Sequence, residues 1–288
     1  MRSRATAVGP DMDLAPLVDL LADRRVAVLT GAGVSTESGI PDYRGPETRR
    51  RARNPIQGPT FVRSADTRQR YWARSFVGWP RMRDARPNAA HRALTRLQRA
   101  GRLTGVITQN VDGLHEAAGA RGVIALHGRL SEVVCLACGA LSPRAELQER
   151  LADLNPTFVD PTGAPTAPDG DVDLVEAAVA GFRVAPCTRC GGPLKPHVVF
   201  FGDGVPRPRV DRAMAMVEEA DVLLVVGSSL AVFSGFRFPR HAARRGQPVA
   251  LLNLGETRAD DLATVKVEAR AGAALPSLVD ALLGGATG

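Results

Sequence analysis

The sequence predicts an α/β fold, a doubly wound parallel sheet with a smaller zinc-binding and helical module. Short apolar segments typical of buried strands alternate along the chain with segments of helical periodicity. The strands end in Gly, Ser or Asn motifs, and in an open α/β sheet such residues line the ligand crevice at the carboxyl edge. Two widely separated C-x-x-C pairs predict the smaller module.

Composition and charge restrict the class of protein further. The 288 residues, of which 44% are apolar, suffice for a full core, and no apolar run reaches the length of a membrane span. The net charge of +7 comes mainly from arginine, since Lys195 and Lys266 are the only lysines. The densest basic cluster, residues 49–53, has no interleaved aromatic residues, so a solvated loop is favoured over a nucleic-acid site. Because the first dozen residues contain no apolar signal region, we expect a cytoplasmic protein.

The first strand is predicted over Val26–Leu29, directly after a helix whose apolar residues begin at Leu14. The strand runs into Gly31-Ala32-Gly33, where the backbone can turn sharply and approach a ligand. Ser35 or Thr36 is placed to cap a following helix, whose free N–H groups would face a pyrophosphate. The G-x-G-x-x-G pattern is met only in part, so a tight strand-to-helix turn without a ligand stays an alternative.

A loop and two helical regions are predicted next. Residues 45–59 are rich in Arg, Pro and Gly and are expected to form a loop that closes over a cofactor. The aromatic and basic segment 61–79 is predicted to form helices of the smaller module, where Tyr71 and Arg74 would share one helix face. An amphipathic helix opens at Pro87–His91.

The strand predicted over Leu103–Thr108 ends in a polar run. Gln109, Asn110 and Asp112 follow this strand directly, so they are expected to touch a cofactor at the carboxyl edge of the sheet. His127 follows another short apolar run. Its near-neutral pKa suits a general base, although a histidine in such a place is more often a structural hydrogen-bonding group.

The four cysteines of the chain form the two C-x-x-C pairs. Each pair is followed by glycine and can offer two thiolates to one ion, so together they complete a closed tetrahedral zinc site. A closed site has no open position for water, which predicts a structural rather than a catalytic ion. A redox motif or an iron–sulfur cluster is the alternative. The predicted ligands are Cys135, Cys138, Cys187 and Cys190.

A proline-rich insertion, residues 139–186, separates the two cysteine pairs, with short helices expected near 147–154 and 172–179. After it, Val198–Phe201 is predicted as a strand whose exposed edge could pair with an extended peptide while its aromatic residues wall an apolar channel. The same segment could instead be a buried core strand, and this role is compatible with peptide binding at its edge. A helix near 214–219 then leads into two further strands, which end at Gly227-Ser228-Ser229 and at Asn253.

Five separate motifs resemble the signature sequences of the sirtuins, the NAD-dependent protein deacylases. These motifs are Gly31–Arg44, Thr108–His115, Leu126–Gly128, Lys195–Asp203 and Asp221–Leu230. The resemblance covers about residues 13–275. The long insertion, with Arg70-Tyr71-Trp72-Ala73-Arg74 and Ala167–Val172, is similar to the class II branch that includes the mitochondrial sirtuin 4 of animals. The chain departs from the family pattern at His197, where an Asp is usual, and at Ala271, where many members have Cys.

The resemblance implies the domain organisation and the reaction. A Rossmann-like NAD-binding domain would comprise residues 13–60, 82–130 and 194–288, and a small domain with one structural zinc ion would comprise 61–81 and 131–193. The implied reaction transfers the acyl group of an acylated protein lysine to ADP-ribose and releases nicotinamide. The implied catalytic residues are His127 as general base, with Asn110, Gln109 and Asp112. A monomer is expected.

The resemblance also implies contacts for NAD and for the substrate. The residues expected to hold NAD are Gly31, Ala32, Gly33, Ser35, Thr36, Glu37, Pro41, Asp42, Tyr43, Arg44, Gln109, Asn110, Val111, Asp112, Gly227, Ser228, Ser229, Asn253, Leu254, Gly255 and Ala271. The residues expected to hold the peptide and the acyl chain are Val199, Phe200, Phe201 and Gly202. Tyr71 and Arg74 are candidates for an acyl carboxylate, the alternative being a packed tyrosine and a solvated arginine.

The same motifs are also consistent with other functions. Mono-ADP-ribosyl transfer to a protein side chain, or lipoamidase activity, would use the same NAD site. A basic zinc module that binds nucleic acid is a rival from another class, and it predicts a steeply salt-dependent affinity for DNA without turnover of NAD.

Overall fold

The computed structural model describes residues 12–43, 56–158, 170 and 179–284. Its strands form a six-stranded parallel sheet and a three-stranded antiparallel sheet, so the predicted fold class is confirmed. The strands are β1 Val26–Thr30, β2 Leu103–Thr108, β3 Ile124–Ala125, β4 Gly128–Cys135, β5 Leu141–Pro143, β6 Leu194–Val198, β7 Val222–Val226, β8 Val249–Leu252 and β9 Val265–Val267. The helices are α1 Ala15–Leu21, α2 Gly58–Arg63, α3 Ala65–Asp84, α4 Ala89–Arg99, α5 Leu114–Ala117, α6 Arg144–Leu154, α7 Arg207–Glu218, α8 Phe233–Arg244 and α9 Ala271–Gly284.

The large sheet has the strand order β3-β2-β1-β7-β8-β9, and all of its strand pairs are parallel. From β1 the chain moves first toward β2 and β3 and later returns to β7 on the other side. The order therefore reverses between β1 and β7, and in a doubly wound sheet the ligand crevice lies outside the carboxyl ends of such strands.

Helices cover both faces of the large sheet because the side chains of each strand alternate between two cores. On β1, Val26 and Val28 pack with α1, α4 and α9, whereas Ala27 and Leu29 pack with α7 and α8. Every residue of β1, β7 and β8 is buried. This explains why these segments are apolar, apart from Thr30 at the end of β1, instead of alternating with polar residues.

The small sheet has the order β5-β4-β6, and its partners α2, α3 and α6 share a core with it. The helices predicted over residues 61–79 and near 147–154 are thus present. Inside this core the guanidinium of Arg144 lies between the rings of Trp72 and Trp79, at 5.4 and 5.1 Å from their centroids. Because β6 pairs with β4, the predicted boundary at residue 194 separates two hydrogen-bonded strands. The two-domain division stays a prediction.

Two sequence predictions about local structure are wrong. The turn at Gly33 leads into two 3-10 turns, Ala32–Val34 and Thr36–Ser38, and not into an α-helix. The Ser35 hydroxyl caps neither turn, because it is engaged with Asp112. The predicted strand Val198–Phe201 begins and ends earlier, as Leu194–Val198, because the chain then turns at Gly202 with a left-handed φ of 82°.

Smaller differences concern segment ends and the described range. Gly58 and Pro59, predicted as loop, begin α2. The basic cluster at residues 49–53 and most of the predicted helix 172–179 lie outside the described residues. None of the helices that the structure describes has the length and apolar character needed to cross a bilayer.

Candidate active site

The loops after β1 and β7 pack backbone against backbone at the point where the strand order reverses. The amide of Gly33 donates to the carbonyl oxygen of Gly227 at 2.9 Å. A Cβ atom on Gly33 would lie 2.9 Å from the Gly227 Cα, and one on Gly31 would lie 2.7 Å from the Ser228 Cβ. Gly31 and Gly33 must therefore be glycine because the loop after β7 packs against them. The sequence predicts a different reason, the close approach of a ligand.

A polar cluster joins the first turn to the residues after β2. The side-chain amide of Asn110 donates to the Gly31 carbonyl at 3.1 Å and to the Ser35 hydroxyl at 3.0 Å. Ser35 donates in turn to the Asp112 carboxylate at 2.7 Å. Burial raises the pKa of Asp112, and the hydrogen bonds from Leu114 N–H and Ser35 oppose that shift by stabilising the carboxylate. Three predicted site residues are therefore fixed to one another.

Gln109 connects the end of β2 to the end of β7. Its side-chain amide donates to the Ser228 hydroxyl at 2.8 Å. The same side chain lies against Gly235 in the first turn of α8, where a Cβ atom would come within 2.3 Å of the Gln109 Oε1. The carboxyl ends of β2 and β7 are in this way joined at one place, and the predicted NAD contacts of Gln109 and Ser228 stay predictions.

His127 lies at this edge with both ring nitrogens hydrogen-bonded. Nδ1 is 2.9 Å from the carbonyl oxygen of Gln109, and because a carbonyl only accepts, Nδ1 carries the proton. In the neutral ring Nε2 is then the acceptor, and it receives the Ser234 hydroxyl at 2.8 Å. Burial lowers the pKa of His127. The hydrogen bond to the Gln109 carbonyl opposes this shift, and the positive charges of Arg209 and Arg237 add to it. The arrangement is a neutral imidazole with a basic nitrogen.

Ser234 is a residue that the sequence analysis missed. It lies in the first turn of α8, outside the five motifs, and no periodicity or spacing distinguishes it from other polar residues. Its proximity to His127 arises only because α8 packs across the end of the sheet.

A buried polar chain supports the site from behind. Thr30 donates to Thr108 at 2.9 Å, so the Thr30 hydroxyl accepts from Nε2 of His115 at 2.9 Å. Thr108 also accepts from the backbone amide of Asn110 at 3.1 Å. Burial lowers the pKa of His115 to about 3 and that of the adjacent His91 to about 4. Both rings are neutral at physiological pH, so they orient the site without adding charge to it.

The remaining predicted NAD contacts follow β8 or flank the first turn. The Asn253 amide donates to the carbonyl groups of Leu254 and Gly255, both at 3.1 Å, and so shapes its own loop. Glu37 lies against Gly272, beside Ala271 at the start of α9. Tyr43 is 47% exposed, and Arg44 lies outside the described residues. The structure brings Ser35, Gln109, Asn110, Asp112 and His127 together, and the roles of the predicted residues stay predictions.

The predicted substrate residues lie on the other side of His127. The amide of Val199 donates to the His127 carbonyl at 2.8 Å. The ring of Phe200 is 5.4 Å from the ring of Tyr71, edge to face, and 4.6 Å from the ammonium of Lys195. Tyr71 is only 4% exposed, as expected if it is a packed core residue and not a ligand for an acyl carboxylate. However, the residue that its ring contacts, Phe200, is predicted to line the acyl channel.

The four cysteines meet in one cluster, with all sulfur atoms within 4.8 Å of one another. A zinc ion with Zn–S bonds of about 2.3 Å separates its sulfur ligands by about 3.8 Å, so the donor set fits a tetrahedral ion. In both pairs the glycine after the second cysteine, Gly139 or Gly191, has a left-handed φ, and its amide donates to the carbonyl of the first cysteine. Backbone amides, that of Cys138 first, lower the pKa of Cys135, which favours the thiolate that a metal needs.

The fold and the site define a Rossmann-like nucleotide-binding protein with a small four-cysteine module. Known proteins agree with this class. The model of the Sir2 family matches residues 31–234. NAD-dependent protein deacetylase 1 of Mycobacterium avium (strain 104) is 54% identical over 270 residues, which cover 92% of this chain and 94% of that protein.

Further matches come from an animal protein and a solved structure. The mitochondrial NAD-dependent protein lipoamidase sirtuin-4 of Bos taurus is 53% identical over 260 residues, or 89% of this chain and 82% of that protein. The solved structure named Sir2-p53 peptide-NAD+ is 30% identical, with a TM-score of 0.74, and covers 95% of this chain and 99% of that chain. The chain belongs to the Sir2 family. The resemblance to sirtuins, and to sirtuin 4 among them, is confirmed.

Proposed function

We propose that the protein is an NAD-dependent protein-lysine deacylase in which His127 is the general base. The observation that carries this proposal is the basic Nε2 of His127, held beside Gln109 and Asn110 at the carboxyl edge of the sheet. The NAD-dependent deacetylases and the lipoamidase to which the chain is similar support the reaction class. NAD itself fits the crevice by the chemistry of its donor set, since amide, hydroxyl and carboxylate groups can bind ribose and nicotinamide.

The side chains of the site have distinct proposed roles. When bound, NAD supplies a ribose carbon whose bond to nicotinamide breaks, so that an acyl oxygen can attack it. Asn110 and Asp112 present fixed dipoles and negative charge to the positive charge that develops there, without having to reorganise. Nε2 of His127 accepts the proton of a ribose hydroxyl, and the Gln109 carbonyl holds the ring through Nδ1–H. Phe200 and Val199 exclude water from the acyl chain.

The proposal leaves open which acyl group the enzyme removes from lysine. Tyr71 and Arg74 are proposed to contact the far end of the acyl chain, because the Tyr71 ring packs against Phe200. A long apolar acyl group fits the same wall of aromatic rings, and the similarity to a lipoamidase supports lipoyl as a candidate.

A panel of acyl-lysine peptides tests the proposal. One peptide sequence would carry acetyl, succinyl, methylglutaryl-type or lipoyl groups in turn, with NAD present and with O-acyl-ADP-ribose measured by mass spectrometry. Preference for the acidic groups would support a carboxylate site at Tyr71 and Arg74, and preference for acetyl or lipoyl would exclude it. Consumption of NAD without deacylation would instead favour mono-ADP-ribosyl transfer.

The substitution His127→Tyr tests the assigned base. We expect loss of deacylation to below a few per cent of the wild-type rate, because the imidazoles of His91 and His115 are buried behind the site and cannot replace His127. Zinc content, measured by elemental analysis, and NAD affinity, measured by calorimetry, should largely survive. Greater residual activity would mean that another group takes the proton.

We also propose a monomer located in the cytoplasm. The high identity to bacterial proteins, such as the 53% shared with NAD-dependent protein deacetylase 1 of Streptomyces coelicolor, supports this location. Light scattering of the purified protein and fractionation of the cells that produce it are the corresponding measurements.

A further inference from the structure

The first turn of α8 carries an exposed aromatic ring between two arginines. Phe233 is 44% exposed. The guanidinium carbon of Arg237 is 5.4 Å from the Phe233 ring centroid, and that of Arg240 is 5.0 Å from it. We call Phe233, Arg237 and Arg240 the arginine–phenylalanine rim. Both cations lie within cation–π distance of the ring, and a guanidinium that stacks on a ring still presents N–H donors in its own plane.

The rim lies next to the reaction centre. Phe233 directly precedes Ser234, whose hydroxyl is 2.8 Å from Nε2 of His127. Arg237 is one turn further along the same helix, and its charge contributes to the lowered pKa of His127. The backbone carbonyl of His127 accepts from Val199, a proposed peptide-binding residue. Because His127 thus contacts both Val199 and the residue next to Phe233, we expect a peptide that delivers an acyl-lysine to His127 to pass close to the rim.

The positive charge of the rim is not neutralised within the part of the chain that the structure describes. Elsewhere on α7 and α8, Arg207 pairs with Asp211 and His241 contacts Glu218. Among the same described residues, no carboxylate forms an ion pair with Arg237 or Arg240. The Nε of Arg237 is buried and has no hydrogen-bond partner among them. This Nε is out of reach of an incoming carboxylate, so the terminal N–H groups of the two guanidiniums would be the donors.

We propose that the arginine–phenylalanine rim binds an acidic side chain of the protein substrate, within about three residues of the acyl-lysine. The inference rests on the proposed deacylase function and adds to it a preference among substrate sequences. One planar guanidinium group matches the two oxygens of an Asp or Glu carboxylate, and the second adds to the positive charge. The exposed Phe233 ring offers the aliphatic part of that side chain an apolar surface.

Matched acetyl-lysine peptides test this preference. Three peptides would carry Glu, Gln or Lys at the positions flanking the acetyl-lysine and would otherwise be identical, so the acyl group itself has no charge. We expect kcat/KM for the Glu peptide to exceed that for the Lys peptide by about tenfold at low salt, since attraction and repulsion both contribute. The ratio should fall as the ionic strength rises, because the rim is partly exposed.

Charge-neutralising variants locate the effect. Arg240→Gln should reduce the Glu-to-Lys ratio to about threefold, and the double variant Arg237→Gln/Arg240→Gln should bring it close to one. Arg244→Gln is the matched control, because it removes the same charge from the exposed last turn of α8. This control should keep the wild-type ratio.

The outcomes separate the inference from the proposed function. If the wild type deacylates none of the three peptides, the proposed function fails. Equal turnover of all three peptides would overturn the inference and leave the function intact. A Glu preference that persists in the double variant, or that Arg244→Gln also removes, would show that the rim is not the docking site. If the double variant loses only a preference for succinyl over acetyl, the rim binds the acyl carboxylate and the inference is overturned.

Discussion

At the scale of single residues, positive charge surrounds the buried imidazole of His127. Arg209 donates to the Leu126 carbonyl at 3.2 Å, and Arg237 approaches from α8. Burial is the main cause of the lowered pKa of His127, the hydrogen bond to the Gln109 carbonyl opposes it, and the two cations add to it. The unprotonated form, which a general base requires, is thus maintained at and below neutral pH.

The pH dependence of activity follows from this lowered pKa. Because the neutral ring is the active form, kcat/KM should stay level as the pH falls to 6.5, the ordinary histidine value, and should decline only below it. Arg209→Gln removes a cation and so raises the pKa of His127, which moves the acidic limb of the profile to higher pH. Arg212→Gln, on the same helix, is the control. An unchanged limb in Arg209→Gln, or an equal movement in both variants, would contradict this account.

At the scale of elements, the four-cysteine cluster and α3 share one core. Cys135 and Cys187 pack in the same buried cluster as Tyr71 and Trp72. Removal of a structural ion therefore disturbs the helix that carries the proposed acyl contacts, although none of the helix residues is a ligand. Metal binding of this kind is coupled to folding, because the assembled site exists only in the folded module.

Zinc chelation should thus be visible in tryptophan fluorescence. The chain has only two tryptophans, and Trp72 and Trp79 are both buried in α3. We expect one zinc ion per chain by elemental analysis, and a red shift of emission with loss of deacylation when a strong chelator removes it. Cys187→Ser should give the same spectrum without chelator. Loss of zinc with unchanged emission would show that α3 is independent of the metal.

At the scale of the whole molecule, the site depends on two distant parts of the chain meeting at the point where the strand order reverses. Gly33 and Gly227 touch there through their backbones, and Gln109 and Asn110 bridge the two loops. The position of the proposed catalytic groups is consequently a property of the complete sheet, since β7 must pair with β1 before the bridge can form.

Substitution of Gly33 by Ala tests that dependence. The added methyl group would lie 2.9 Å from backbone atoms of Gly227, so the two loops must separate. We expect a loss of about 1–3 kcal/mol in the free energy of unfolding, a weaker affinity for NAD, and unchanged zinc content. Gly204→Ala is the control, because nothing lies within 4 Å of its Cβ position. Wild-type stability and NAD affinity of Gly33→Ala would refute the close packing.

The amino-acid sequence by itself determined the fold class, the family and the candidate four-cysteine metal site. Buried parallel strands are apolar throughout, polar residues follow them, and four thiolates at C-x-x-C spacing have few other uses, so each signal is local in the chain. Only the tertiary structure decided that Ser35 bonds Asp112 instead of capping a helix, that β6 pairs with β4, and that Ser234 reaches His127. These contacts join residues 59 or more positions apart, and no local pattern specifies such a partner.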